Sequence, residues 1–179
     1  EKIDNLYERG TENNVEGLKD VSKDEMKEIE PHVSAIKALH APKTGIVDYV
    51  KVTEVYADQF RQNGGEVFLD TEVLGTTESS GKLIIKTNKG DIETKKVINC
   101  AGLHSDRIAK MFGLKTNLKI IPFRGEYYTL KKSKEYLVKG LIYPVPNPEL
   151  PFLGVHFTQT MKGFVEAGPN AVLVTKREG

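Results

Sequence analysis

The stretch KKVINCAGLHSDRIAKM, residues 95–111, has the pattern of a strand, a tight turn and a helix. Residues 97–100 are mostly apolar, which is typical of a short strand buried on both faces of a parallel sheet. Gly102 allows a sharp turn, and Ser105 is the predicted N-cap of the helix that follows. Gly113 is placed to end that helix. This stretch therefore predicts an α/β unit.

A strand, a glycine turn and a helix together place free backbone N–H groups at the carboxyl edge of a sheet. Nucleotide cofactors often bind at such an edge. The alternative is an ordinary buried β–α corner without a ligand, and the residues of this stretch taken alone favour that alternative.

Composition and charge narrow the class of protein. The 179 residues suffice for one substantial core or for two lobes, and the net charge of +1 gives no general attraction to nucleic acid or membranes. No apolar run is long enough to span a bilayer. The single cysteine, Cys100, excludes an internal disulfide and fits a reducing compartment. We therefore expect a cytoplasmic location, with membrane association of a longer form left open.

The ends of the chain indicate an internal piece of a longer protein. The chain begins at Glu1 without a methionine, and it stops at KREG directly after an apolar strand pattern. We therefore expect further sequence on both sides of these 179 residues.

The helix and strand patterns along the chain are mixed. Residues 21–30 predict a helix, with a capping box formed by Ser22 and Glu25, and residues 51–63 predict an amphipathic helix. Short β-patterns then alternate with turn sequences. The predicted strands are 35–41, 66–69, 72–77, 82–87, 91–94, 117–130, 141–145, 152–157, 163–166 and 171–174.

Candidate catalytic residues lie in the C-terminal third of the chain. His156 would lie on the opposite strand face from its neighbours, where it could serve as a general base or as a hydrogen-bonded structural histidine. Arg124 could hold a carboxylate in a bidentate manner, or it could pair with Glu126. Tyr127, Tyr128 and Tyr143 could point into the same cavity or serve as packing residues. The four histidines lack metal-ligand spacing, so no metal site is predicted.

Five stretches of the chain together resemble the L-2-hydroxyglutarate dehydrogenase/oxidase family, which consists of FAD-dependent enzymes of the D-amino-acid-oxidase-like superfamily. The stretches are TGIVDY (44–49), INCAGLHSDRIA (98–109), PFRGEYY (122–128), IYPVPNPELPFLGVHFT (142–158) and GPNAVLVTKREG (168–179). The fourth stretch is the most specific, whereas many flavoprotein oxidoreductases share the CAG turn.

The resemblance implies a fold class of α/β with α+β. In such a fold, part of a Rossmann-like FAD lobe, with its β-meander and strand–turn–helix, is interleaved with a mixed-sheet substrate-binding lobe. Residues 46–112 would belong to the FAD lobe and lack its GxGxxG unit, whereas residues 1–45 and 113–179 would form the substrate lobe.

The resemblance also implies an activity, the oxidation of L-2-hydroxyglutarate to 2-oxoglutarate with hydride transfer to FAD. It assigns His156, Arg124 and Tyr143 to the catalytic site. The residues that it assigns to the cofactor are Val73, Cys100, Ala101, Gly102 and Leu103. A small dicarboxylate is the expected partner, nucleic acid is not expected, and the electron acceptor is left open.

The chain departs from the family pattern because it lacks the glycine-rich loop that grips the FAD pyrophosphate. We therefore expect these 179 residues alone to be colourless and inactive. Two alternatives remain open, namely a related flavoenzyme acting on an amino acid or glycerol 3-phosphate, and a non-catalytic binding domain.

Overall fold

The computed structural model describes residues 2–149 and 152–178. Four positions lie outside the described residues, namely 1, 150, 151 and 179. They fall in the predicted lobes, and the last three also fall in two of the five stretches. The α-helices are α1 (Lys2–Glu12), α2 (Lys23–Ile29), α3 (Tyr49–Gln62) and α4 (Ser105–Met111). The strands are β1 (Lys19–Val21), β2 (Ala38–His40), β3 (Val73–Ser79), β4 (Lys82–Thr87), β5 (Gly90–Thr94), β6 (Phe123–Arg124), β7 (Tyr128–Thr129), β8 (His156–Gln159), β9 (Val165–Gly168) and β10 (Val172–Leu173). Two 3-10 helices span Gly102–His104 and Lys132–Leu137.

The chain divides into two compact units, and the three boundaries fall within α3, β6 and β10. The first unit contains the described residues of Glu1–Val52 and Arg124–Val172, and the second contains those of Thr53–Phe123 and Leu173–Gly179. Each unit mixes helices with small antiparallel sheets, as the sequence predicts. Which unit binds a cofactor and which binds a substrate stays a prediction.

The first unit is built on two sheets. Strand β1 pairs with β2, and the second sheet has the antiparallel order β7-β9-β8. Helix α2 begins at the predicted capping box, in which Ser22 and Glu25 satisfy each other's backbone N–H groups. It ends at Glu30, whose carboxylate accepts hydrogen bonds from the backbone N–H groups of Lys139 and Gly140. The end of α2 is thereby tied to the chain segment that leads into the second sheet.

The second unit contains the predicted β-meander. Strands β3, β4 and β5 pair in chain order, and the predicted turn sequences 79–82 and 88–91 lie at their two connections. Helix α4 follows, and Gly113, with φ of 83°, comes just after its C-terminal end as predicted. Ser105 is the first residue of α4 rather than its N-cap, because the 3-10 helix Gly102–His104 runs directly into it.

Two predicted strands are absent from the described part of the second unit. Residues 66–69 and 97–100 form no ladder, and Ile98 is 88% exposed. The prediction that residues 97–100 form a buried strand, with Cys100 at its buried end, is therefore wrong for this chain, and Cys100 is exposed. The physical reason is that the described residues place no neighbouring strand beside this segment, so its backbone groups have no ladder partner.

Other strands are shorter than predicted. Residues 117–130 form only β6 and β7, and residues 141–145 contribute only a bridge between Ile142 and Phe157. Prolines at positions 122, 144 and 146 lack the N–H group that a ladder needs, which limits pairing in both segments.

Among the described residues, the enclosed apolar side chains lie in the first unit; they are Val21, Met26, Val138 and Val165. No described side chain of the second unit is fully enclosed. None of the described helices combines the length and the hydropathy needed to cross a bilayer.

Candidate functional site

His156 is the most enclosed of the predicted catalytic residues. It begins β8, is only 7% exposed, and its Nδ1 lies 3.0 Å from the carbonyl oxygen of Gly154. Because a carbonyl oxygen only accepts, Nδ1 must carry the proton of the neutral ring. Nε2 then carries the lone pair, and among the described residues it makes no hydrogen bond. The geometry therefore gives His156 the tautomer of a base.

Two tyrosines surround this imidazole. The ring of Tyr143 is stacked on it, with centroids 4.5 Å apart and an interplanar angle of 22°. The ring of Tyr127 meets it edge-on at 6.2 Å and 73°. The structure thus brings together His156, Tyr143 and Tyr127, three of the candidate residues that the sequence offers.

Gly168 is a site residue that sequence reasoning missed. It pairs with His156 across β8 and β9. A Cβ atom on Gly168 would lie 2.7 Å from Cδ1 of Tyr127 and 2.8 Å from the carbonyl oxygen of Glu126. Only glycine therefore leaves room for the Tyr127 ring at this place. In the sequence, Gly168 is simply a glycine before Pro169, and nothing in that pattern indicates its contact with an aromatic ring.

Arg124 is paired with an acid of its own chain. Its Nε and Nη2 donate to Oε1 of Glu126 at 3.2 and 2.6 Å. Pairing with Glu126 is one of the two alternatives that the sequence left open for Arg124. Nη1 makes no hydrogen bond within the described residues, and the Arg124 side chain is 62% exposed. Arg124 therefore retains one donor group for a ligand, although Glu126 offsets its charge.

Asn170 completes this arrangement on the other side of Glu126. Its Nδ2 donates to Oε2 of Glu126, and its Oδ1 accepts from the Glu126 backbone N–H. The hydrogen bond from Asn170 and then that from Arg124 lower the pKa of the Glu126 carboxyl below its ordinary value of 4.5. Glu126 is thereby held as a carboxylate.

A cavity of about 840 Å³ lies within the first unit. Most of its walls are apolar, and Tyr143 contributes to them. His156 is not among the described residues that line this cavity, but Tyr143, whose ring stacks on His156, is.

The five predicted cofactor residues all lie in the second unit. Val73 begins β3. Cys100 and Ala101 precede the 3-10 helix Gly102–His104, which Gly102 and Leu103 begin. Gly102 has φ of 52°, and a Cβ atom there would meet no heavy atom of the described residues within 4 Å. The backbone N–H groups of Gly102 and Leu103 donate to no acceptor in the described chain. Residues 101–103 therefore form an open turn, in which two unpaired N–H donors lie beside open space.

Among the residues that the structure describes, no cluster of His, Cys, Asp or Glu side chains has the geometry of a metal site. The candidate groups are an enclosed imidazole and an arginine in the first unit, and an open glycine turn in the second unit.

Comparison with known proteins defines the class. The model of the DAO family, described as FAD dependent oxidoreductase, matches residues 1–178. This chain therefore belongs to the DAO family of FAD-dependent oxidoreductases.

Its relatives narrow the class further. The chain is 53% identical over 178 residues to L-2-hydroxyglutarate dehydrogenase of Indibacter alkaliphilus. It is 44% identical over 190 residues to the mitochondrial L-2-hydroxyglutarate dehydrogenase of Homo sapiens. Each match covers 99% of this chain but only 45% and 41% of the relative, respectively. The chain thus spans less than half the length of these curated relatives.

Solved structures confirm the predicted fold class. The chain matches L-proline dehydrogenase from P. horikoshii with a TM-score of 0.75 at 24% identity, covering 94% of this chain and 45% of that one. It matches glycine oxidase from Bacillus cereus with a TM-score of 0.68 at 20% identity, covering 98% and 48%. At these identities the likeness concerns the fold.

The open turn fits a group that carries hydrogen-bond acceptors, as FAD does. The unpaired N–H groups of Gly102 and Leu103 match the oxygen atoms of a nucleotide, and the absent side chain of Gly102 leaves room for close approach. The residues present are therefore compatible with the family's cofactor.

We expect Gly168→Ala to destabilise the protein by about 1–3 kcal/mol, because the new methyl group collides with the Tyr127 ring and the Glu126 carbonyl. Gly45→Ala is the control, since a Cβ atom at Gly45 meets no described atom within 4 Å. Its free energy of unfolding should change by less than about 0.5 kcal/mol. Urea denaturation measures both, and equal values for the two variants would contradict the packing argument.

We also expect Glu126 to make stability depend on pH. Because its folded pKa lies below 4.5, its contribution is present above that pH and is lost as the pH falls through the folded value. In Glu126→Gln, the free energy of unfolding should fall less steeply from pH about 5 to about 3 than in the parent. Glu28→Gln, at an exposed position on α2, is the control. If the free energy of unfolding fell equally steeply with pH in the parent and in Glu126→Gln, Glu126 would not be a source of the pH dependence.

Proposed function

We propose that these residues form part of an FAD-dependent dehydrogenase that oxidises L-2-hydroxyglutarate to 2-oxoglutarate. The observation that carries this proposal is the state of His156, whose Nδ1 is held by a carbonyl while Nε2 is left as an unpaired acceptor. The names of relatives at 53% and 44% identity support the choice of substrate.

The first step of the reaction needs a base for the substrate hydroxyl. Nε2 of His156 would take that proton, and the imidazolium so formed would donate through Nδ1 to the Gly154 carbonyl. The stacked ring of Tyr143 would stabilise the new positive charge through its π-face. Enclosure of the ring among protein atoms keeps bulk water from competing for the proton.

The second requirement is orientation of the substrate. A dicarboxylate needs fixed donors so that its C–H bond points in one direction. Nη1 of Arg124 would bind one carboxylate, while Glu126 holds the rest of the guanidinium in place. The phenol of Tyr143 lies beside His156 and would complete the substrate site.

The cofactor would be held in the second unit by the residues that the resemblance assigns to it, namely Val73, Cys100, Ala101, Gly102 and Leu103. When bound, FAD would supply the acceptor for the hydride that leaves the α-carbon. His156 would take the hydroxyl proton, so the products would be 2-oxoglutarate, the reduced cofactor and a protonated imidazole.

A cytoplasmic location remains part of the proposal, and it is supported by the single cysteine. The names of several animal relatives place those proteins in mitochondria. The bacterial relative carries no such designation in its name.

The test is anaerobic flavin reduction by L-2-hydroxyglutarate in the full-length protein. We expect His156→Asn to slow reduction by about 10²–10⁴-fold, because the substrate proton then lacks its acceptor. His32→Asn is the matched control, since His32 is exposed and lies against Tyr136. Its rate should equal that of the parent.

Two outcomes would overturn the proposal in different ways. An unchanged rate in His156→Asn would remove the base assignment. Reduction by amino acids or glycerol 3-phosphate, without reduction by L-2-hydroxyglutarate, would replace the substrate.

A further inference from the structure

The side chain of Arg177 lies at the centre of a hydrogen-bond cluster in the second unit. Nη1 donates to Oδ1 of Asp106 and, at 2.5 Å, to the carbonyl oxygen of Leu103. Nη2 donates to Oδ2 of Asp106 at 2.7 Å and to the carbonyl oxygen of Ile120 at 3.1 Å. The guanidinium therefore binds one carboxylate with both nitrogens and also joins two separate backbone segments.

The ion pair is largely shielded from water, which strengthens these contacts. The side chains of Arg177 and Asp106 are only 12% and 9% exposed, in a unit where most side chains are open to solvent. Oδ2 of Asp106 also accepts from the backbone N–H of Ile120. The guanidinium holds the pKa of the Asp106 carboxyl well below its usual range. Next to this pair, Nε2 of His104 lies 2.8 Å from Glu178.

The Leu103 carbonyl is the contact with functional meaning, because Leu103 closes the open turn 101–103. A second side chain holds the same turn from its other end. Oδ1 of Asn99 accepts from the Ala101 backbone N–H at 3.1 Å, and Nδ2 of Asn99 donates to the Ser105 carbonyl at 2.8 Å. The turn therefore lies between two side-chain clamps, while its own donors at Gly102 and Leu103 stay unpaired.

We infer that Arg177, through Asp106 and the Leu103 carbonyl, is a positioning residue that holds the 101–103 turn in the shape that receives the flavin nucleotide. This inference rests on the proposed function. Arg177 itself donates its hydrogen bonds to protein groups, so its effect on the cofactor acts through the backbone of the turn.

Lysine is a poor substitute at this position. An ammonium group is a point donor, whereas the planar guanidinium reaches both carboxylate oxygens and two carbonyls at once. A role that depended on charge alone would survive Arg177→Lys, and a role that depends on geometry would not.

The experiment measures FAD binding to the full-length apoprotein by flavin fluorescence. We expect Arg177→Met to raise the dissociation constant for FAD by at least about tenfold and to alter the visible absorption spectrum of the bound flavin. Lys176→Met removes a neighbouring exposed cation and should leave both readouts at the parent values. Arg177→Lys should weaken FAD binding nearly as much as the methionine variant.

The thermal midpoint of the apoprotein separates positioning from general stability. Parent-like FAD affinity and spectrum in Arg177→Met, with only a lower thermal midpoint, would overturn the inference. If Arg177→Met does not fold, Arg177→Lys decides in its place, and parent-like affinity in that variant overturns the inference equally. Failure of the parent protein to bind FAD would instead overturn the proposed function and this inference together, and it would be evident before any variant is made.

Discussion

The antiparallel pairing of β8 with β9 is the constraint on which the catalytic candidates depend. It places His156 directly opposite Gly168, and the absent side chain of Gly168 leaves the space in which Tyr127 lies. Tyr143 reaches the same imidazole because its neighbour Ile142 bridges to Phe157 of β8. A one-residue slip of this register would turn His156 to the other face and separate it from both tyrosines.

Side chains hold the irregular backbone of this chain in place. Much of this chain forms no ladder, so side chains supply the missing hydrogen bonds. Glu30 binds two N–H groups after Val138, Asn170 pairs with the backbone of Glu126, and Asn99 and Arg177 hold the 101–103 turn. Two of these four anchors, Asn99 and Arg177, bind the backbone of a residue that the resemblance assigns to the cofactor. Asn170 instead holds Glu126, the partner of Arg124. The proposed chemistry therefore depends on side-chain anchors more than on long regular elements.

The charged groups also show a consistent arrangement. The carboxylates of Glu126 and Asp106 each bind an arginine of their own unit. The hydrogen bond from Asn170 and then that from Arg124 lower the pKa of Glu126, and the hydrogen bond from Arg177 lowers the pKa of Asp106. Arg124 is mostly exposed and keeps one free nitrogen, whereas Arg177 is shielded and uses both terminal nitrogens within the protein. The first arginine is suited to contact a ligand, and the second is suited to hold backbone.

The sequence by itself determined the features that depend on nearby residues. The capping box of α2, the glycine after α4 and the turns of the β-meander all follow from interactions within a few positions. The motifs also indicated the family, and they pointed to His156 and Tyr143, which the structure brings together.

Only the tertiary structure decided the features that depend on distant partners. The apolar pattern of residues 97–100 predicted a buried strand, but a strand needs a neighbour, and the described chain supplies none there. The pairing of Arg177 with Asp106 spans 71 positions, and the contact of Gly168 with Tyr127 depends on strand register. Local pattern carries no information about such partners, because they meet only when the chain has folded.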